Sequence, residues 1–376
     1  MHKPPVVILS GVRWDFLWQR HHALATLFAR AGYPTVFVET TGLANPHPNL
    51  ATLRKVLSRF GRSGGGGKKP SKDPDLTVYA PLVAPPTLRA FRLANRRVFL
   101  PRVLRDLGKM AGPSPIVVAY PPTRTTLDLI RGLRPRAVLY DCSDDYELFP
   151  GAPADTVATE RELLRLADLV SCTSRRLLEK VRPSRPDAFL SGPAADYERF
   201  AVLQEDNGGG EVRTVCFFGR VSRERIDFPT LRAVAEAGFE VRLIGDLGSV
   251  ERDFLETPGI NFWGEVPHAK LPAALAGVDA FVLPYEVNDL TRGISPAKTY
   301  ECLATGKPIV SAPLPAMEEL AGHVYLANEP GEYVEILRSL GGLQKEEKVR
   351  ARIELARKNS WEVRFGQIEE ALWGVL

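Results

Sequence analysis

The sequence predicts an α/β protein that contains two doubly wound parallel sheets in tandem. Short apolar runs alternate with stretches of helical periodicity along most of the chain, a pattern typical of parallel strands joined by crossover helices. A polar, glycine-rich stretch at 192–213 divides this pattern into two halves. The length of 376 residues also fits two domains. We therefore expect two Rossmann-like domains that face a cleft, with ligands bound at the carboxyl ends of their strands.

Each predicted strand is a short apolar run bounded by polar residues, proline or glycine. In the first half the runs are Val6–Ser10, Thr35–Glu39, Leu76–Leu82, Ile116–Tyr120, Ala137–Asp141, Leu169–Thr173 and Ala188–Ser191. In the second half they are Thr214–Gly219, Glu240–Gly245, Ile260–Gly264, Asp279–Pro284, Pro308–Ser311 and His323–Leu326. Helices are predicted between them, among others at Asp15–Ala31 and Asp227–Ala237. We expect an N-terminal domain at 1–195, a C-terminal domain at 212–360 and a terminal helix at 361–376.

Composition indicates an ordinary globular protein, with 44% hydrophobic and 25% charged residues. No apolar run approaches the roughly 18–20 residues that span a bilayer, and the start of the chain is too short to read as a secretory signal before its first strand. The four cysteines have no metal or redox spacing and are expected in the core. Segment 58–75 is low in complexity and expected to be mobile, so its Asp-Pro-Asp string is not taken as a metal signature. The expectation is a cytoplasmic protein with no metal site.

Charge is distributed unevenly between the two halves. Residues 1–190 hold 29 Lys and Arg against 16 Asp and Glu, whereas residues 191–376 hold 20 against 29. Segment 86–112 is the most basic helical region, with an expected interruption at Pro101. Its basic residues are Arg89, Arg92, Arg96, Arg97, Arg102, Arg105 and Lys109. Peripheral binding to an anionic membrane and a solvated helix face both remain open, whereas few aromatic residues and an acidic second half argue against nucleic acid.

The most informative motif follows the predicted strand Asp279–Pro284. It consists of a polar loop and a helix whose first turn is expected to contain Ser295, Pro296 and Lys298. Unpaired N–H groups at a helix start, together with a lysine, form an anion site. Glu301 lies further along the helix, near enough to the loop to accept hydrogen bonds from sugar hydroxyl groups. This combination suits a nucleotide sugar.

Two more segments in the second half point to the same ligand. Gly219-Arg220 ends a predicted strand and Arg225 follows five residues later, so that two guanidinium groups could bind phosphate oxygens in pairs. Surface arginines beside a strand end are the alternative interpretation. The segment Phe262-Trp263-Gly264-Glu265-Val266 forms a strand and a turn, which carries weight only together with the other two motifs.

These three segments together resemble the donor-binding region of GT-B glycosyltransferases, in particular the family four, or group 1, branch with an S-P-x-K-x-x-E helix. The resemblance implies that Glu301 binds the donor ribose and that the helix start at Ser295 and Pro296 holds the diphosphate. The residues implied as the cationic diphosphate clamp are Arg220, Arg225 and Lys298, beside Gly219. Backbone at Val266 would meet the nucleobase, which leaves UDP and GDP both open. Gly293 stands where many retaining members carry a second glutamate.

Two segments of the first half also resemble this branch. Ser10-Gly11-Val12-Arg13-Trp14-Asp15, followed by Gln19-Arg20, comes after the first strand, where Gly11 would let backbone approach the donor phosphate. Arg13, Asp15 and Arg20 are acceptor-binding candidates, although Asp15 is equally suited to cap a helix. Tyr140-Asp141-Cys142-Ser143-Asp144 closes another strand, and there Asp141 could bind acceptor hydroxyl groups and Asp144 could be a general base. Capping of the next helix is the alternative interpretation.

The function that this resemblance implies is glycosyl transfer without a metal or other cofactor. A sugar would pass from a nucleoside-diphosphate sugar to a hydroxyl group of a glycan, expected to be a lipid-linked cell-surface polysaccharide at the inner face of the membrane. Arg220, Lys298 and Asp144 are the expected catalytic residues, with retention of anomeric configuration preferred. The alternatives are a sugar-nucleotide epimerase of the same fold, which the small number of histidines argues against, and a catalytically silent scaffold that binds nucleotide or glycan.

Overall fold

The chain forms two compact units, each with its own sheet. A computed structural model describes residues 3–15, 18–39, 67–69, 73–83, 89–149, 152–204, 210–248, 252–340 and 345–376. The first unit comprises Met1–Ser191 and Phe365–Leu376, and the second comprises Gly192–Arg364. The boundary after Ser191 lies at the start of the polar stretch 192–213.

The first unit contains an eight-stranded sheet in the order β3-β4-β2-β1-β5-β6-β7-β8. The strands are β1 Val6–Leu9, β2 Thr35–Val38, β3 Gly67–Lys69, β4 Leu76–Ala80, β5 Ile116–Ala119, β6 Ala137–Cys142, β7 Leu169–Cys172 and β8 Phe189–Leu190. All neighbours pair in parallel except β3 with β4. Strands β1, β2, β5 and β6 are buried along their whole length, as parallel strands covered by helices on both faces must be.

Helices cover the sheet of the first unit. They are α1 Arg20–Arg30, α2 Arg89–Ala94, α3 Leu100–Ala111, α4 Arg124–Leu133, α5 Thr156–Leu166 and α6 Arg175–Val181, with a π-helical turn Asn95–Phe99 between α2 and α3. Helical residues follow one another without a gap from Arg89 to Ala111, so the interruption expected at Pro101 is not present. The proline instead lies in the first turn of α3, where its missing N–H group has no partner to lose.

The second unit contains a six-stranded, fully parallel sheet in the order β11-β10-β9-β12-β13-β14. Its strands are β9 Thr214–Phe218, β10 Glu240–Ile244, β11 Ile260–Phe262, β12 Ala280–Leu283, β13 Ile309–Ser311 and β14 Tyr325–Leu326. Its helices are α7 Tyr197–Ala201, α8 Phe228–Glu236, α9 Arg252–Leu255, α10 Leu271–Ala274, α11 Asp289–Arg292, α12 Lys298–Ala304, α13 Pro315–Glu318, α14 Pro330–Ser339 and α15 Glu346–Lys358. Short 3₁₀ turns occur at Tyr146–Leu148 in the first unit and His268–Lys270 in the second.

The last helix, α16 at Trp361–Trp373, begins in the second unit and belongs to the first unit from Phe365 onward. Its ring at Phe365 packs edge-to-face on Phe28 of α1, with ring centroids 5.0 Å apart. Glu369 receives hydrogen bonds from Lys3 Nζ at 2.8 Å and from the Tyr33 hydroxyl at 2.7 Å. The first unit is therefore completed by residues from the far end of the chain.

Every apolar run that predicts a strand contains one, so the predicted α/β class with two doubly wound sheets is confirmed. The structure departs from the sequence expectations at two further places. Strand β3 lies inside segment 58–75, whose other described residues are 73–75. Helix α1 begins at Arg20 rather than at Asp15, and Gln19 is its N-cap in a reciprocal pair with His22, so Asp15 caps nothing.

Candidate functional site

The strand order of the second unit places two loops at one point of the sheet. Strands β9 and β12 are neighbours, but the chain leaves β9 toward β10 on one side and leaves β12 toward β13 on the other. At such a switch point the loops after both strands diverge and leave a crevice at their carboxyl ends. Loop 219–227 follows β9 and loop 284–297 follows β12. The residues that the sequence predicts for phosphate binding lie in these loops or just after them.

Two glycines hold the loop after β9 in position. Gly219 and Gly245 have φ angles of 122° and 136°, values that residues with a Cβ rarely adopt. The Gly219 N–H donates to the carbonyl of Ile244 at 2.7 Å. A Cβ added to Gly245 would lie 2.0 Å from the Gly219 carbonyl oxygen. The close approach of these two turns therefore requires glycine at position 245.

Lys298 occupies the space that Gly219 leaves open. A Cβ on Gly219 would lie 2.5 Å from Lys298 Nζ. The ammonium group lies 3.8 Å from the ring centroid of Phe217 and 5.7 Å from that of Tyr285. Burial lowers the pKa of Lys298 to about 7; the nearby Cys302 and Glu301 oppose this shift and Arg225 adds to it. The amino group of Lys298 is thus held over aromatic rings beside the β9 loop.

Arg220 and Arg225 extend the positive charge around Lys298. The Arg220 side chain is 53% exposed and its Nε lies 3.7 Å from Asp246 Oδ2, a distance too long for a hydrogen bond. Arg225 is half-buried, and its backbone carbonyl accepts the Glu286 N–H at 2.9 Å. That bond ties the loop after β9 to the loop after β12. The structure thus gathers these three cationic residues at one end of one sheet.

Helix α12 starts later than the sequence predicts. It begins at Lys298, so Ser295 and Pro296 belong to the preceding turn rather than to its first turn. Residues that precede proline avoid the helical region, which explains why the helix cannot extend back through Ser295. The amide hydrogens of Ser295 and Lys298 have no acceptor within the described parts of the chain.

Glu301 of α12 contacts a histidine that the sequence analysis did not select. His268 Nε2 lies 2.8 Å from Glu301 Oε1, and the two side chains are only 13% and 12% exposed. His268 opens the 3₁₀ turn after β11, two residues beyond the half-buried Val266. Only its place just after the Phe262–Pro267 turn could have indicated it, because its partner lies 33 residues away.

In the first unit, Arg20 and Asp141 are bound to each other. Arg20 Nε donates to Asp141 Oδ2 at 2.6 Å, and the Asp141 side chain is 0% exposed. Ser171 Oγ donates to the other carboxylate oxygen at 2.7 Å, and Arg20 Nη2 donates to Ser191 Oγ at 2.8 Å. This cluster joins α1 to the ends of β6, β7 and β8. The arrangement favours a structural role for both residues over direct contact with an acceptor.

Two neighbouring histidines of α1 hold the loop after β1. His21 Nδ1 lies 2.8 Å from Ser10 Oγ, and burial lowers the pKa of His21 well below its usual value. His22 accepts the Gln19 N–H at Nδ1, at 3.1 Å, and lies 3.0 Å from the Arg13 carbonyl through Nε2. Burial also lowers the pKa of His22. Both rings thus act in their neutral form.

The predicted acceptor residues on that loop are exposed. Arg13 and Asp15 face solvent and form an exposed ion pair, with 3.4 Å between Nε and Oδ1. Gly11 has neither a positive φ nor a close neighbour, since its nearest contact to an added Cβ would be Pro121 at 3.8 Å. The loop is therefore fixed by its histidines rather than by the glycine.

Asp144 differs from the carboxylates around it. Lys180 Nζ lies within 3.3 Å of Asp145, Glu147 and Glu160 and forms ion pairs with all three. Asp144 is exposed and accepts a hydrogen bond from Ser143 Oγ at 3.1 Å. It is thus the carboxylate at this strand end that Lys180 does not bind and that solvent reaches.

Other predicted features concern cysteines, metals and membranes. All four cysteines are buried free thiols, as expected of core residues. Within the described ranges, His, Cys, Asp and Glu side chains do not gather in groups of three that could hold a metal ion. Among the helices described, none has the length and apolar character that a bilayer crossing requires. The α2–α3 region exposes an apolar and basic surface, which consists of Phe91, Leu93, Arg96, Arg97 and Val98.

Comparison with known sequences finds a matching family for part of the second unit. Residues 212–341 match the sequence profile of the glycosyl transferases group 1 family. TuaH of Bacillus subtilis (strain 168), a candidate teichuronic acid biosynthesis glycosyltransferase, is 22% identical over 260 residues. That match covers 61% of this chain and 65% of TuaH, just under two thirds of its length.

Comparison with solved structures shows a shared fold over the whole chain. Sucrose-phosphate synthase from Thermosynechococcus elongatus matches with a TM-score of 0.68, 14% identity and coverage of 100% of both chains. Anabaena HepE, solved with UDP and glucose, also gives 0.68 and 14%, with 99% of this chain and 100% of that chain covered. A candidate UDP-N-acetylglucosamine 2-epimerase from Listeria monocytogenes gives 0.56 and 12%, with coverage of 98% and 96%. At these identities the likeness is one of fold alone.

Proposed function

We propose that this chain, which has the GT-B fold and whose residues 212–341 match the glycosyl transferases group 1 family, is a glycosyltransferase. It transfers a sugar from a nucleoside-diphosphate sugar to a hydroxyl group of a glycan acceptor. The donor occupies the switch point of the second unit. The acceptor is bound by residues of the first unit.

One observation carries this proposal: three cationic side chains and one carboxylate gather at the carboxyl end of a single sheet. Arg220, Arg225 and Lys298 supply charge for two linked phosphates, and Glu301 lies one helical turn beyond Lys298. A neutral or cationic ligand would leave this charge uncompensated. A nucleoside diphosphate matches both the cationic side chains and the carboxylate, since its phosphates are anionic and its ribose hydroxyl groups can donate to Glu301.

The chemistry follows from that charge. When the bond between the sugar C1 and the diphosphate breaks, the leaving oxygen gains negative charge. Arg220 and Lys298 stabilise that charge without a metal ion. The acceptor oxygen bonds to C1, and its proton passes to the oxygen of the leaving diphosphate. We propose retention of the anomeric configuration; in an inverting reaction, the exposed Asp144 would take the proton instead.

The acceptor is a cell-surface polysaccharide in this proposal. The description of TuaH as a candidate teichuronic acid biosynthesis glycosyltransferase supports that class. Arg13 and Asp15 are the residues proposed to bind it, because both side chains are exposed on a loop fixed by His21 and His22. Arg20 and Asp141 bind each other and so hold the start of α1 against the ends of β6, β7 and β8.

The donor site is tested by Glu301→Ala and Arg220→Ala. Each change should weaken binding of UDP or GDP about 10- to 150-fold, the equivalent of roughly 1.5–3 kcal/mol for a hydrogen bond to a charged group. Isothermal titration calorimetry in buffer with EDTA measures this affinity and tests metal independence at the same time. Arg213→Ala is the matched control, because Arg213 is exposed and lies at the opposite end of β9. Unchanged affinity in both site variants would rule out this donor site.

Binding of UDP should also depend on pH through Lys298. Because its pKa is about 7 in the free protein and phosphates favour the charged form, affinity should fall as pH rises above 7. The loss should approach about tenfold per pH unit between pH 8 and 9, as for the loss of one proton. Titration at pH 7, 8 and 9 measures it. Lys298→Arg should remove the dependence, since a guanidinium stays charged; a flat profile in the unmodified protein would contradict the idea.

Two alternative functions can be distinguished from glycosyl transfer by their products. A sugar-nucleotide epimerase, suggested by the structural likeness to the Listeria protein, would change the sugar configuration without releasing diphosphate. A silent scaffold would bind nucleotide without turnover. Release of free nucleoside diphosphate only when acceptor is added would favour the transferase over both.

We also propose that the protein works at the cytoplasmic face of the cell membrane. Its free thiols fit a reducing compartment, and the exposed surface at Phe91, Leu93, Arg96, Arg97 and Val98 combines apolar and positively charged groups. Each basic residue near an anionic bilayer contributes about 1 kcal/mol. Flotation with anionic liposomes at low salt should therefore recover the protein, and the double change Arg96→Glu with Arg97→Glu should prevent this. Arg213→Glu is the control, and no flotation of the unmodified protein would exclude membrane binding.

A further inference from the structure

The carboxylate of Glu301 has a fixed orientation. Its Oε1 lies 2.8 Å from His268 Nε2, and both side chains are nearly buried. A carboxylate carries no hydrogen, so the hydrogen of this bond comes from Nε2 in either charge state of the ring. The other oxygen, Oε2, is thereby turned to a defined side of α12.

His268 is itself held by its surroundings. It begins the 3₁₀ turn His268–Lys270 after Pro267, where the turn is closed by the bond from Lys270 N–H to the Pro267 carbonyl at 2.7 Å. Its ring lies 5.7 Å from that of Phe200, at 57°. The bond to Glu301 thus connects the loop after β11 with the helix after β12. In a doubly wound unit, these are two walls of the same nucleotide crevice.

We propose that His268 is a positioning residue that orients Glu301 toward the ribose hydroxyl groups of the donor and so sets a preference for ribonucleotides over 2′-deoxyribonucleotides. This inference rests on the proposed donor site. A flexible glutamate would lose side-chain freedom each time it bound a nucleotide, whereas one already held by His268 does not. A hydroxyl group that meets the oriented oxygen gains a hydrogen bond to a charged acceptor, which a deoxyribose cannot make.

The test compares binding of UDP with that of 2′-deoxy-UDP by calorimetry, with GDP and 2′-deoxy-GDP in parallel. The unmodified protein should favour the ribonucleotide about tenfold or more, the effect of one charge-assisted hydrogen bond. His268→Ala and His268→Asn should weaken UDP binding about tenfold and leave 2′-deoxy-UDP nearly unaffected. The ratio between the two ligands should thus fall toward one. His268→Gln should restore the ratio, because its amide nitrogen can donate from about the position of Nε2.

Each outcome distinguishes this inference from the proposed function. If UDP and 2′-deoxy-UDP weaken equally in the His268 variants, the histidine only supports the fold and the inference is overturned. The inference is also overturned if the unmodified protein binds UDP and 2′-deoxy-UDP with the same affinity. That outcome would leave the proposed donor site unaffected. If neither UDP nor GDP binds the unmodified protein, the proposed function fails first. Thermal unfolding shows whether each variant is folded. If His268→Ala does not fold, Glu301→Ala takes its place, and that variant should bind UDP and 2′-deoxy-UDP with nearly equal affinity.

Discussion

Replacing Asp141 with alanine is expected to lower the free energy of unfolding of the first unit by about 3–5 kcal/mol. The change leaves the buried guanidinium of Arg20 without its carboxylate partner, and the hydroxyl group of Ser171 without its acceptor. Desolvation of Arg20 is then no longer offset by the nearby negative charge. Urea denaturation followed by circular dichroism measures the loss.

Asp187→Ala provides the matched control for this prediction. Asp187 pairs with Arg185 at 2.6 Å, as close as Asp141 is to Arg20, but its side chain is 56% exposed. An exposed pair contributes only about 0–1 kcal/mol. If Asp141→Ala costs no more than this control, Arg20 finds water or another partner in the variant, and the buried pair does not secure the strand ends.

Gly245→Ala should abolish nucleotide binding, with turnover reduced at least about a hundredfold. The new methyl carbon would lie 2.0 Å from the carbonyl oxygen of Gly219, a backbone atom that cannot rotate away. The loop that carries Arg220 must therefore move. Strain at the φ angle of 136° adds a stability cost of about 1–3 kcal/mol. UDP titration and thermal unfolding measure the two effects separately.

Gly238→Ala is a control that has the backbone strain of a positive φ angle but not the steric clash expected in Gly245→Ala. Gly238 has a φ of 96°, also in the region that disfavours a side chain, but an added Cβ would meet no atom within 4 Å. This variant should lose stability and keep UDP affinity. Equal UDP affinity in the two variants would mean that the contact between the turns at Gly219 and Gly245 does not set the donor site.

Strands were predictable because the sequence carries a strong physical signal for them. Runs such as Val6–Leu9 and Ala280–Leu283 are apolar at every position, as burial on both faces requires. Strand β3 was missed because Gly-Lys-Lys has no apolar residue and forms the edge of the sheet, where it pairs through its backbone with β4. The start of α1 was missed because Asp15 has the chemistry of an N-cap, whereas the hydrogen bonds of His22 hold the preceding loop and move the start to Arg20.

The site was predictable where its residues are close in sequence. Ser295, Lys298 and Glu301 share one short segment, so their spacing alone indicated an anion and a sugar. His268 was not predictable, because only the folded sheet brings its loop to Glu301. Burial of Asp141 was also hidden in the sequence, since its partners Arg20 and Ser171 come from two other elements and have no common pattern.

The path of α16 has a consequence for synthesis of the protein. The ring of Phe28 and the hydroxyl group of Tyr33 emerge from the ribosome before the second unit, but their partners Phe365 and Glu369 are made only after it. The sheet of the first unit can assemble beforehand, yet its outer layer stays open during translation of the entire second unit. Any premature stop before Phe365 would thus leave a defect in the half of the protein that was made first.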